Sequence, residues 1–214
     1  SLPYSGSVTD AERTALTYRL ERWRAITSGI LETAGTTFLL LIAVRWYQAG
    51  AVAKALVAAG SSVGLLATPF VVTWVTRRGW APSEAAHRIL LGGAAGFLAA
   101  AALPWLPAFT LGVVVGMTAF SAVVPLLTHI YQSNYPAAAR GRLFSRTVML
   151  RIATAALFAK AAGWYLAADF SRFQLLVLLF AGTSVAAAWL LRRCPSAPIS
   201  DDGGSHPLRA LRFV

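Results

Sequence analysis

Glu32 is the residue of this chain best placed to do chemistry. It lies within "RWRAITSGILETAGTTFLLLIAVRWY", residues 22–47, where arginines and tryptophans bracket about twenty mostly apolar positions. A charged side chain at the centre of a bilayer costs at least about 2.5–3.5 kcal/mol, so it tends to face a wet cavity or a partner. Gly29, Glu32, Thr33 and Thr36 recur at helical spacing and gather small and polar groups on one stripe. Leu31, Phe38 and Leu41 fall on the opposite face. Arg151 is the partner of matching depth. At 1.5 Å per residue, Glu32 lies roughly 10 Å and Arg151 roughly 12 Å in from the same side. Thr147 and Thr154 share the Arg151 face. Two readings stay open: an ion pair that locks the first helix to the fifth, or a pair lining a transport path that protonation or substrate charge would break.

Other polar groups carry less. Lys160 is nine positions beyond Arg151, on the opposite face and near a helix end, where its stem can snorkel to the headgroups. His129 ends the fourth apolar run; a membrane histidine can relay protons, but near a helix end it is also simply hydrated. The single Cys194 excludes an internal disulfide framework. No paired Asn-Pro-Ala boxes, Gly-x-Ser-x-Gly elbow, phosphate-binding Gly-rich loop with Lys, or His/Cys cluster at metal spacing occurs. Enzymatic chemistry, a metal and a cofactor are therefore not expected.

The elements that must position these groups follow from composition. Of 214 residues 57% are hydrophobic and 13% charged, about half the charged share of an ordinary soluble domain. Between Arg88 and Arg140, 51 consecutive residues carry no Lys, Arg, Asp or Glu, which fits two membrane crossings joined by a turn. Six spans are expected: Ala25–Trp46, Ala55–Val75, Ala85–Leu103, Phe109–Tyr131, Leu143–Ala167 and Phe173–Leu191. With six, Arg45, Lys54, Lys160 and Arg172 fall on one side and the other 15 of the 19 Lys and Arg on the opposite side. The positive-inside rule makes that basic side cytoplasmic, with both termini on it, as for a multi-pass protein of the cell (inner) membrane. The net charge of +11 is thus topological, and no nucleic-acid partner is expected.

Residues 1–24 read as a cytoplasmic amphipathic helix lying on the inner surface, opened by a Thr9–Glu12 capping box. Residues 25–191 read as the helix bundle in the lipid bilayer, and 192–214 as a cytoplasmic tail. Gly60 with Gly64, Gly92 with Gly96 and Gly112 with Gly116 mark close helix contacts. Pro69 and Pro125 fall inside spans and are expected to kink them.

Six spans, short outer loops and basic inner loops resemble the N-terminal half of a major facilitator superfamily (MFS) transporter. The likeness lies in "VTRRGWAPSEAAHRIL", "NYPAAARGRLFSR" and the tail "SHPLRALRFV". Against the family's Gly-x-x-x-Asp-Arg-x-Gly-Arg-Arg loop, Arg77 and Gly79 match as inner-gate candidates, while Val72, Thr76, Trp80 and Ala81 depart from it. The fifth span lacks the Gly-Pro pattern of the drug–proton antiporters. The resemblance implies an all-α, six-helix half bundle built as a 3+3 inverted repeat, with alternating access and a midplane substrate site. Its first, second, fourth and fifth helices would face the centre, so Glu32, Thr36, His129 and Arg151 are the pathway candidates. The expected partners are a second six-helix half and a small-molecule substrate. A chain that starts at Ser and stops at "RALRFV" reads as an excised half rather than a natural half-transporter acting as a dimer. The rival reading is a non-transporting membrane scaffold or assembly module.

Overall fold

The structure is a computed structural model that describes residues 9–199. The expectations for the extreme N-terminus and for the tail "SHPLRALRFV" fall outside the described residues. Within them the chain is helical and contains no strand.

Six rods follow one another. The first is α1 (Asp10–Thr33), a π-helical turn (Ala34–Phe38) and α2 (Leu39–Arg45). The second is α3 (Ala51–Leu66) with α4 (Thr68–Arg77), bent by 47° where Pro69 enters. The third is α5 (Pro82–Ala102). The fourth is α6 (Leu106–Ala122) with α7 (Val124–Asn134), broken at Val123 just before Pro125. Both prolines interrupt their helices as expected, since each lacks an amide donor and crowds the preceding turn. The fifth rod is α8 (Ala137–Ala168), and the sixth is α9 (Phe173–Arg192), preceded by a single 3₁₀ turn. Thr9 caps α1 in a capping box with Glu12. The Thr9 amide and hydroxyl hold the Glu12 carboxyl below its usual range.

By length and composition four helical stretches could cross a membrane: Asp10–Arg45, Pro82–Ala102, Leu106–Asn134 and Phe170–Arg192. The bent pair α3–α4 makes a fifth if it counts as one span. That is fewer than the six expected. The difference is α8, whose apolar run is interrupted by Arg151 and Lys160. The first rod differs too. Its helix passes through the expected boundary at residues 24 and 25 without a break, and it buries Thr17 and Glu21 instead of lying along a surface.

α5 packs against α6 and α9, α1 against α8 and α9, and α3 against α6. Exchanging the first three rods for the last three maps these pairings onto themselves. Small residues set the approach. A Cβ on Gly112 would meet the Gly96 carbonyl oxygen, and one on Gly96 would lie 2.7 Å from that of Gly112. On α3, a Cβ on Gly64 would meet the Thr118 carbonyl oxygen of α6, and one on Gly60 would lie 3.0 Å from Met117 Cβ. Gly92, expected at a contact, is exposed with nothing nearby, and its neighbour Gly93 faces Ala119 instead. The helix turns its packed face one position later than a four-residue spacing implies.

Two apolar clusters fill the bundle. One, around Phe38, Phe97, Phe109 and Phe180, occupies the end bearing Trp46. The other, around Val75, Leu126, Tyr135 and Leu191, occupies the basic end. At that basic end α4 terminates in a Schellman motif, with Gly79 N–H donating to the Thr76 carbonyl (3.0 Å) and Trp80 N–H to that of Val75 (3.2 Å). Gly79 has a φ of 62°, in the left-handed region that L side chains resist. Gly79→Val is expected to lower stability by about 1–2 kcal/mol in a thermal unfolding measurement.

Candidate functional site

Gly29 brings the site together. A side chain there would meet the Arg151 carbonyl oxygen, and would lie 3.0 Å from Ala155 N and from Thr154 Cβ. α1 and α8 therefore touch backbone to backbone, one turn from Glu32. Across this seam Arg151 Nε lies 3.3 Å from Glu32 Oε2. The contact is ionic and poorly aligned: Arg151 Nε is cut off from solvent yet has no partner of hydrogen-bond geometry. The side chains keep 38% (Arg151) and 42% (Glu32) of their exposure, so the pair stands at a rim and not in a sealed core.

Beneath the rim is a cavity of about 330 Å³. Its polar wall carries Arg24, Ser28, Glu32, Tyr131 and Arg151, and its apolar wall Leu90, Phe120, Leu127 and Phe144. The polar wall continues into a network that the residue-by-residue reading missed. Arg24 donates from Nε and Nη2 to the two oxygens of Glu21 (2.6 and 2.5 Å), from Nη1 to Ser28 Oγ (2.7 Å) and from Nη2 to Tyr131 Oη (3.0 Å). Glu21 is 4% and Arg24 14% exposed. A bidentate pair of this kind is stabilising only when its hydrogen bonds are complete, as here. The signal was present: Thr17, Glu21, Arg24, Ser28 and Glu32 recur every three or four residues. Ending the surface helix at residue 24 cut the stripe in two.

Closer to the basic end, Asn134 Nδ2 donates to Thr17 Oγ1 (3.0 Å) and to the Pro195 carbonyl (2.7 Å), and Thr14 Oγ1 donates to the Asn134 carbonyl (2.8 Å). Ser196 Oγ donates to Ser83 Oγ (2.7 Å), so the segment after α9 is bonded to the ends of α5 and α7. Cys194 is buried there; desolvation, with the Glu21 charge adding to it, pushes its thiol up to about 12.

The other candidates lie elsewhere. Thr36, within the π-helical turn, is exposed and donates to the Glu32 carbonyl (2.9 Å), outside the cavity lining. His129 is half-buried on α7, which turns Thr128 and Tyr131 to the cavity in its place. Arg77 and Gly79 sit at the basic end, away from this cavity; Gly79 closes α4, and Arg77 makes no ion pair among the described residues. Lys160 is exposed, with its ammonium over the Trp164 ring, 4.8 Å from the centroid. Among the described residues no His, Cys, Asp and Glu group could hold a metal.

What the arrangement can do chemically is present one unsaturated charge pair at the mouth of a small amphipathic cavity between apolar rods. No family model, curated protein or solved structure gives a significant match to the chain.

Proposed function

We propose that the chain is a six-helix half of a secondary transporter of the cell membrane, moving a small solute by rocking against a second six-helix half. The observation that carries this reading is the Glu32–Arg151 pair, partly exposed halfway along apolar rods at the mouth of a cavity. Charges at that depth are unfavourable against lipid, so the face of α1 and α8 is better matched to water, solute or a partner. Exposed polar side chains accompany the pair, and exposed large apolar ones occur on all six rods. Thr36, Thr37, Ser62 and Thr128 accompany the pair on the first, second and fourth rods. Leu91, Leu98, Leu175, Leu178 and Trp189 project from the third and sixth rods, and Val52, Leu56, Leu66 and Phe70 from the second, in keeping with lipid or partner contact. α8 also exposes Met149, Ile152 and Leu157, which suit packing against another helical half.

The exchange symmetry of the rod pairings supports a 3+3 inverted repeat, in which sites form near the midplane at the repeat interface. α8 is the fifth crossing in this reading, its two interior charges placed at the pathway and at an outer boundary. The excess of arginine at the basic end supports cytoplasmic termini. The saturated Glu21–Arg24–Tyr131 network favours a second reading, a non-transporting scaffold held rigid at that end.

Uptake in vesicles separates the two. With a panel of small solutes and the intact protein, Glu32→Gln is expected to reduce uptake at least about tenfold and to flatten its pH profile. Uptake and a pH profile unchanged by Glu32→Gln would overturn the pathway role.

A further inference from the structure

We propose that the cavity binds a small organic monoanion, a carboxylate on an apolar body, whose carboxylate sits on the Arg151 guanidinium in the place Glu32 now takes. The inference rests on the cavity being a solute site. Its basis is the contrast between the two arginines of the polar wall. Arg24 has all three guanidinium nitrogens engaged by Glu21, Ser28 and Tyr131. Arg151 makes no hydrogen bond to any described residue, and its buried Nε has no aligned acceptor. A guanidinium carries five donors in a planar fork that matches a carboxylate two oxygens at a time. Arg151 meets one carboxylate oxygen, off axis, and its capacity is unused. Glu32 is thus an internal stand-in for the ligand, poorly enough held to be displaced.

Charge narrows the class. Arg24, Glu32 and Arg151 line the cavity, and Glu21, bonded to Arg24 outside the lining, brings the four charges to zero. The titratable and charged groups facing Glu32 are Arg151 on α8, Tyr131 on α7, and Arg24 with its partner Glu21 on α1 itself. α3, α5, α6 and α9 contribute Ser61, Leu90, Ser121, Ala187 and Leu191, none of which titrates. A monoanion that displaces Glu32 from Arg151 adds one negative charge among apolar walls, and a dianion adds two. Leu90, Phe120, Leu127 and Phe144 fit an apolar body, and about 330 Å³ is at the small end of ligand sites.

Benzoate is the probe, with benzylammonium and inorganic phosphate as comparators, titrated into the purified full chain in micelles at neutral pH, where benzoate is fully ionised. Glu32→Gln is expected to tighten benzoate binding about tenfold, and Arg151→Gln to abolish it. Equal benzoate affinity in parent and Arg151→Gln overturns the proposal, as does phosphate binding as tightly as benzoate, or benzylammonium binding that Glu32→Gln removes. Should Arg151→Gln fail to fold, Glu32→Gln decides alone, because a gain in affinity is not a product of misfolding and its absence overturns the assignment. Benzoate bound at Arg151 by a protein that moves no solute leaves this inference standing and removes the transport reading. Solute movement lost in Glu32→Gln without benzoate binding does the reverse.

Discussion

Arg24→Leu is expected to destabilise the bundle by about 3–5 kcal/mol, because it strands a buried carboxylate. Glu21 is almost wholly enclosed and draws both of its close charge-assisted hydrogen bonds from Arg24. Removing the guanidinium also leaves the Tyr131 hydroxyl without this donor. The double change Glu21→Leu with Arg24→Leu is expected to recover most of the loss, since well-packed apolar residues in place of a buried pair are often neutral or stabilising. Thermal unfolding of the three variants in micelles measures this directly. A double variant as unstable as the sum of the two singles would show that the residues do not act as a pair.

Gly29→Val is expected to cost about 1–3 kcal/mol through overpacking. Its Cβ would run into the Arg151 carbonyl and the Thr154–Ala155 backbone, which are not flexible side-chain ends that can swing away. α8 must then retreat, taking Arg151 from Glu32. In that background Glu32→Gln is expected to have no further effect on stability, whereas in the parent the two charges are coupled. Gly163→Val on α8, where a Cβ meets nothing within 4 Å, serves as the control and is expected to change stability little. Equal losses for the two glycines would remove the close approach as the cause.

Much of the scaffold was legible because it depends on residue types with few alternatives. Pro69 and Pro125 break their helices where they stand, and Thr9 with Glu12 caps the first. Counting depth from the ends of two segments was enough to pair Glu32 with Arg151, since ionic groups this far into apolar rods have few places to go. Other features depended on phase and stayed hidden. Gly92 and Gly93 are equivalent in a sequence, and only the rotation of α5 against α6 selects the second. The Glu21–Arg24–Tyr131 network needs a helix that crosses residue 24 unbroken, and a partner 107 residues away on α7. The π-helical turn has no distinctive residue in "AGTTF" to announce it. Thr36 shared a stripe with Glu32 on an ideal helix and leaves it here for that reason.

That turn has a wider consequence. One residue beyond the regular repeat rotates everything after it by about 100°. The first rod therefore carries two facings out of phase with each other: Ser28 and Glu32 look into the cavity below the turn, while Leu39 and Ile42 enter the aromatic cluster above it. A side chain selected for the lower half has no say in what the upper half presents. The two ends of this rod are free to be tuned separately, one for charge and one for packing, along a single helix.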